Sequence, residues 1–97
     1  MITLDKLRTP KVIEYCDVKK GTHIQFKPIN LELIIEDIAR ENLYLSIVEK
    51  YKEFGREIKK NEYFKYNGIG IYNFGKGCGQ RNHIRIEIPR GTSYVRY

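Results

Sequence analysis

The sequence predicts an α+β fold, with an antiparallel or mixed sheet of about six short strands packed against one or two central helices. Apolar and polar residues alternate near both ends of the chain, which is typical of half-buried strands. Apolar residues between positions 31 and 58 recur at spacings of three and four, which is typical of one helix face. The 97 residues are 41% hydrophobic and 31% charged. Because this is enough apolar material for one core, we expect a single domain, 1–97.

The first element after the N-terminus is a strand, residues 11–18, because this run is rich in β-branched and aromatic side chains. The segment Lys19-Lys20-Gly21 has turn character, and residues 22–27 then alternate again between apolar and polar. We therefore expect an opening hairpin. Pro28 ends its second strand because proline has no N–H to donate to a neighbouring strand.

The middle of the chain favours helix. Asn30 is a suitable N-cap, because its side-chain oxygen can accept a hydrogen bond from an unpaired backbone N–H, and acidic residues follow it. The helical spacing shifts in phase near residue 42, which leaves two alternatives, one long helix or two shorter ones. The apolar residues that carry this interpretation are Leu31, Ile34, Ile35, Ile38, Tyr44, Ile47, Val48, Tyr51 and Ile58.

The last third of the chain predicts two more hairpins. Asn67-Gly68 lies between two apolar runs, and this dipeptide favours a type I′ turn. The glycine-rich residues 75–82 indicate a surface loop. Residues 84–97 alternate on both sides of a turn at 89–91 and predict a final hairpin. Its outer face would carry His83, Arg85 and Glu87, with Tyr94 and Arg96 across the turn.

No run of apolar residues is long enough for a signal peptide or a membrane-spanning helix, so we expect a cytoplasmic protein with no membrane contact. Its two cysteines then favour reduced thiols. The pairs Cys16/His23 and Cys78/His83 lack the close spacing of structural zinc ligands, so we predict neither a metal nor another cofactor.

The net charge is +6, and it lies at the two ends of the sequence. Residues 1–30 carry six Lys/Arg and three Asp/Glu, residues 31–60 carry six and seven, and residues 61–97 carry six and two. Basic flanks that fold together would attract phosphates. The predicted phosphate contacts are Lys76, Arg81, Arg85, Arg90 and Arg96, with Lys19, Lys20 and Lys27 as secondary contacts and Tyr94 as a stacking side chain.

These features favour a small non-enzymatic protein that binds nucleic acid or a nucleoprotein complex. Small basic proteins of this kind include phage or mobile-element inhibitors of host defence machinery. One alternative is a metal-independent ribonuclease, with Glu87 as base, His83 as acid and Arg85 on the phosphate. A second is a nucleotide-binding or sequestering protein that holds phosphates in the 75–82 loop. The chain carries no complete catalytic motif, so we lean against an enzyme. Homo-oligomerisation through an exposed edge near residues 95–97 stays open.

Overall fold

The computed structural model describes residues 11–97, apart from the side chain of Cys78, and these residues form strands and turns without any helix. The predicted α+β class is therefore wrong, since the described chain is all-β. No helix that could cross a membrane occurs in this range. The strands are β1 (Lys11–Val18), β2 (His23–Lys27), β3 (Leu31–Ala39), β4 (Asn42–Glu49), β5 (Lys52–Ile58), β6 (Tyr63–Tyr66), β7 (Ile69–Cys78), β8 (Arg81–Ile88) and β9 (Ser93–Arg96).

The strands make two antiparallel sheets. The first sheet has the order β1-β8-β7-β6, and the second has the order β5-β4-β3-β2-β9. Buried side chains from both sheets form one hydrophobic cluster, so the sheets pack face to face as a sandwich. The first sheet contributes Val18, Ile69, Ile71, Ile84, Ile86 and Ile88, and the second contributes Ile24, Phe26, Leu31, Leu33, Ile35, Leu43, Leu45, Ile47 and Ile58.

Residues 31–58, which were expected to be helical, form three antiparallel strands. Leu33, Leu43 and Leu45 do not belong to the helical stripe, yet all three are buried. They complete an alternating pattern along β3 and β4, and a bulge between Ile35 and Asp37 shifts the register of that pair. Both helical alternatives are thus wrong, because the buried apolar side chains of β3 and β4 recur with period two, at 31, 33 and 35 and at 43, 45 and 47.

The turns that join these strands carry no sequence signal of a hairpin. The β3–β4 turn is Arg40-Glu41 and the β4–β5 turn is Lys50-Tyr51, with φ of 59° at Arg40 and 52° at Lys50. Neither turn contains glycine, asparagine or proline. Asn30, expected to cap a helix, is also a turn residue, with φ of 51°.

The predicted opening and closing hairpins are both wrong. The β1–β2 turn crosses from the first sheet to the second, so β1 pairs with β8 and β2 pairs with β3 and β9. The β8–β9 turn crosses between the sheets in the same way. Local alternation correctly places strands in these segments, but the pairing of a strand is decided by the core that its apolar face covers.

The Asn67-Gly68 hairpin is confirmed, since Tyr66 pairs with Ile69 and both turn residues have positive φ, 51° and 83°. The expected glycine-rich loop is instead the end of a second hairpin. Strand β7 continues to Cys78, and Gly79 and Gln80, with φ of 55° and 69°, form the turn into β8. Two consecutive residues with positive φ match the right-handed twist of paired strands.

Candidate functional site at the basic end of the sandwich

Four turns lie together at one end of the sandwich. Because neighbouring strands are antiparallel and β1 runs towards this end, the β1–β2 turn (19–22), the β3–β4 turn (40–41), the β5–β6 turn (59–62) and the β7–β8 tip (76–81) share it. We call these residues the basic end. The turns at 28–30, 50–51, 67–68 and 89–92 form the opposite end.

The basic end concentrates positive charge. Its four segments contain seven Lys/Arg and two acids, whereas the turns of the opposite end contain two Lys/Arg and no acid. Such a concentration raises the local potential at one part of the surface. The seven cationic side chains, all on exposed residues, are Lys19, Lys20, Arg40, Lys59, Lys60, Lys76 and Arg81.

Both acids of the basic end are already engaged. The Glu41 carboxylate forms an ion pair with Lys60, with 2.9 Å between Oε2 and Nζ. The Glu62 carboxylate accepts a hydrogen bond from the backbone N–H of Lys59 at 2.9 Å. Apart from Lys60, no cation of the basic end has an acid within ion-pair distance among residues 11–97. Within this range, six cations are therefore available to bind an external anion.

The β1–β2 turn is held by hydrogen bonds of Thr22, a buried residue. Its hydroxyl donates a hydrogen bond to the carbonyl of Lys19 at 2.7 Å and accepts one from the Lys19 N–H at 3.1 Å. The N–H of Gly21 donates to the carbonyl of Ile35 at 2.8 Å, which ties the turn to β3. The lysine pair at the tip of this turn thus stands in solvent on a fixed backbone.

The other turns are connected through Asn73, a fully buried residue of β7. Its side-chain amide donates hydrogen bonds to the carbonyl of Glu41 at 2.8 Å and to the carbonyl of Ile58 at 3.0 Å. Its side-chain oxygen accepts one from the N–H of Gly75 at 2.8 Å. A single side chain therefore connects the first sheet to two turns of the second, which keeps Arg40, Lys59 and Lys60 at one end.

A cavity of about 360 Å³ lies where the β1–β2 turn approaches the β7–β8 tip. Lys19 and Arg81 line it from opposite sides, together with Asp17, Val18, Gln80 and Asn82. The side-chain oxygen of Asn82 is buried there and accepts no hydrogen bond from the described residues. Lys19 and Arg81 give this small concave surface two cations, and the Asp17 carboxylate that also lines it is paired with Arg96.

Four of the eight predicted cationic contacts are brought together at this end: Lys19, Lys20, Lys76 and Arg81. Lys27 and Arg90 lie at the opposite end, at the end of β2 and in the β8–β9 turn. The sequence predicted that these cations share one surface, because it predicted that β8 pairs with β9. In the structure the flanks contribute to both ends of the sandwich.

Arg85 and Arg96 are partly neutralised by acids of β1. Arg85 lies 3.6 Å from Glu14 and above the ring of Phe74, and Arg96 donates to Asp17 at 2.8 Å. The hydrogen bond from Arg96 lowers the pKa of Asp17, with a smaller contribution from Arg81. Both arginines therefore connect strands. Arg85 of β8 contacts Glu14 of β1, and Arg96 of β9 contacts Asp17 of β1, which links edge strands of the two sheets.

Tyr94, predicted to stack on a ligand, is half-buried and packs against the core, with the ammonium group of Lys11 5.3 Å from its ring centre. Tyr94 and Arg96 also do not share the outer face of Arg85, because β9 belongs to the second sheet. The expected mixed surface across a final hairpin is therefore wrong.

The three residues of the ribonuclease alternative lie on one strand; His83 and Arg85 share Glu14 and Phe74 as partners, whereas Glu87 has a separate partner. His83 is 3.2 Å from Glu14, a partner that the sequence did not indicate, and its ring stacks on Phe74 at 4.5 Å. The Glu87 carboxylate accepts a very short hydrogen bond from the hydroxyl of Tyr63. This bond raises the pKa of Tyr63, so that hydroxyl keeps its proton.

Sequence reasoning missed Arg40, Lys59 and Lys60, because they belong to a segment with a net charge of −1. In the structure most acids of that segment lie on strands and most of its cations lie in turns. A period-two interpretation of residues 31–58 would have placed turns at 40–41 and 59–62 and revealed these three cations.

Cys16 is in a disulfide bond, so the expected reduced thiol is wrong at this residue. The argument for a reducing compartment that relied on reduced thiols is lost with it. Among the described residues no three His, Cys, Asp or Glu side chains are grouped as metal ligands would be.

No protein-family model, curated protein or solved structure matches this chain. The site is therefore interpreted from its own residues.

Proposed function

We propose that this protein is a non-enzymatic binding protein that engages nucleic acid through the basic end of its sandwich. The observation that supports the proposal is the convergence, from four turns, of six exposed cations that have no acid within ion-pair distance among residues 11–97. Each phosphate neutralised by such a cation releases bound counterions, which provides a favourable, sequence-independent term for binding.

The geometry favours phosphate contacts over base-specific contacts. Five of the seven cations of the basic end are lysines, which are flexible point charges, while base recognition relies on rigid, paired donors such as arginine or asparagine. No aromatic residue lies in its four segments. We therefore expect affinity for the sugar-phosphate backbone with weak sequence preference.

Two parts of the proposal are predictions: the form of the nucleic acid and the location of the protein. Nucleic acid packaged in a nucleoprotein complex would present the same phosphates as free RNA or DNA, so either is a suitable partner. The cytoplasm stays the predicted location, and cell fractionation would test it.

The test compares two charge-reversal variants of equal net charge. The first reverses Lys19, Lys20 and Arg81 to Glu at the basic end. The matched control reverses Lys11, Lys27 and Arg90 to Glu, three cations at or near the opposite end. Both variants change the charge by the same amount, so a general effect of net charge would alter them equally.

Fluorescence anisotropy with short labelled RNA and DNA measures the binding. The variants are compared at about 0.15 M salt, where charges more than about 8 Å apart are largely screened, and the wild type is also measured at low salt. We expect the basic-end variant to lose about a hundredfold in affinity and the control to lose less than about threefold, because direct phosphate contacts outweigh distant charge in screening solution. Equal losses in both variants would contradict the proposed location. Absence of binding by the wild type at low salt would contradict the function itself.

A further inference from the structure

A second and larger cavity lies at the opposite end of the sandwich, away from the basic end. Its volume is about 680 Å³, and residues 28–30, 49–52 and Asn67 line it. These residues come from the β2–β3, β4–β5 and β6–β7 turns, so both sheets contribute to its walls. The volume lies within the range of small-molecule sites.

One wall of this cavity is apolar and includes an aromatic ring. Tyr51 is fully exposed at the tip of the β4–β5 turn, with Pro28 and Ile29 on the β2–β3 turn as further lining residues. A tyrosine in this position adds nothing to the core of the protein. Its ring is available to pack against a flat apolar group, which would remove both surfaces from water.

The acidic residue of the cavity is already satisfied. The carboxylate of Glu49 accepts a hydrogen bond from the hydroxyl of Tyr66 at 3.1 Å, and its other oxygen accepts a very short one from the side-chain amide of Asn67. The bond to Glu49 raises the pKa of Tyr66, which therefore remains a neutral donor. Both oxygens of Glu49 are occupied, and this carboxylate joins β4 in one sheet to the β6–β7 turn in the other.

The remaining charged groups of the cavity are cationic. Lys50 and Lys52 flank Tyr51, and neither has an acid within ion-pair distance in the described part of the chain. Lys50 and Lys52 are the sequence neighbours of Tyr51 and line the same cavity, so the site offers an exposed ring and two ammonium groups to a flat ring that carries an anionic group.

We propose that this cavity binds a planar aromatic ring joined to a phosphate group, the chemistry of a nucleoside monophosphate. The ring packs on Tyr51, the exposed aromatic side chain that lines the cavity, and the phosphate is bound by Lys50 and Lys52. A polyanion is a poorer ligand here, because the opposite end has few cations and Glu49 opposes a second negative group. This site is separate from the basic end, so the inference does not depend on the function proposed there.

Calorimetry with adenosine 5′-monophosphate tests the proposal. Two fragments serve as comparisons: adenosine, which lacks the phosphate, and ribose 5-phosphate, which lacks the aromatic ring. We expect saturable binding of the monophosphate that is at least about tenfold tighter than the binding of either fragment, because each part of the ligand contributes its own contact. Equal affinity for the monophosphate and one fragment would contradict the two-part site.

Variants locate the site. Tyr51→Ala should weaken binding about tenfold, and Tyr51→Phe should retain it, since the ring and not the hydroxyl makes the contact. The double variant Lys50→Ala/Lys52→Ala should also weaken binding about tenfold. The matched double variant Lys19→Ala/Lys20→Ala, at the basic end, should leave it unchanged.

The two sites give distinguishable outcomes. Failure of wild-type protein to bind the monophosphate at millimolar concentration would overturn this inference and leave nucleic-acid binding untouched. Loss of monophosphate binding in the Lys19→Ala/Lys20→Ala variant would also overturn it, because the ligand would then occupy the basic end.

Discussion

The two ends of the sandwich are built from the same strands and differ in their turns. The turns of the basic end carry seven Lys/Arg, against two in the turns of the opposite end. The opposite end has instead the larger cavity, with Tyr51 exposed beside it. Strand residues are constrained by the core on one side, whereas turn residues are free to vary. In this fold the charge of each end is set by its turns, while the strands determine where the turns lie.

The largest expected effect concerns salt. If the six available cations of the basic end each contact one phosphate, the slope of log affinity against log salt for single-stranded RNA should approach about −4. Affinity would then fall by about two orders of magnitude between about 50 and about 200 mM salt. Anisotropy titrations at several salt concentrations measure this slope.

The Lys19→Glu/Lys20→Glu/Arg81→Glu variant should reduce the magnitude of that slope by about 2. A slope that stays the same while affinity falls would show that these cations act through the general field and not through phosphate contacts.

The next effect concerns the residue that organises the basic end. Asn73→Leu should reduce the free energy of unfolding by about 3 kcal/mol, because it leaves the carbonyls of Glu41 and Ile58 and the N–H of Gly75 without their partner. Urea denaturation followed by circular dichroism measures the change. The exposed substitution Lys65→Ala should stay within about 0.5 kcal/mol of the wild type. A similar small change for Asn73→Leu would show that the buried amide does not connect the turns.

Two glycines, one at each end, separate backbone strain from side-chain contact. Gly75 has φ of 74°, and an added Cβ would lie 2.5 Å from the Glu41 carboxylate and 3.0 Å from Lys60. Gly91 has φ of 88° and nothing within 4 Å of an added Cβ. Gly91→Ala should therefore cost about 1 kcal/mol from strain alone, and Gly75→Ala about 2 kcal/mol because it also displaces the Glu41–Lys60 pair.

Thermal unfolding of both glycine variants gives the comparison. Equal losses at the two positions would indicate that the Glu41–Lys60 pair adds nothing to stability, which is the usual result for an exposed ion pair.

The smallest effect concerns the ion pair between the edge strands. Arg96 lowers the pKa of Asp17 in the folded state, so this carboxyl stabilises the fold fully above its unfolded pKa of about 3.9. That contribution is lost as the pH falls through the depressed folded pKa. Asp17→Asn should therefore melt at a lower temperature than the wild type near neutral pH, and the gap should close in strong acid.

Melting curves over a pH series measure this gap. Because Asp17 is exposed, added salt should also reduce it. A gap that persists at the lowest pH would mean that the Asp17→Asn substitution disturbs the strand for a reason other than the missing charge.

Local sequence signals predicted several elements correctly. The strand at residues 11–18 has the predicted bounds, and the Asn67-Gly68 turn forms the predicted hairpin. The turn depends on interactions within a few residues, where backbone preference is decisive. The strand is indicated by its residue types, although its partner β8 is distant in sequence. The helical prediction for 31–58 was wrong because Leu31, Ile34, Ile35 and Ile38 fit helical spacing by coincidence in a β-branched, alternating segment.

The candidate site could be predicted only in part. Lys19, Lys20, Lys76 and Arg81 follow from turn or glycine-rich segments, where exposure is expected. To predict Arg40, Lys59 and Lys60, one would have to know that residues 31–58 form three antiparallel strands. The pairing of Arg85 with Glu14 and of Arg96 with Asp17 joins residues far apart in sequence, and no local pattern reports such contacts.

The residue pattern alone indicates the alternating strands near both ends of the chain, the Asn67-Gly68 turn and the excess positive charge. Which strands pair, and therefore which cations meet at one end, follows only from tertiary packing. A strand makes its backbone hydrogen bonds to other strands, several of them distant in sequence, so burial of the whole core selects the pairing.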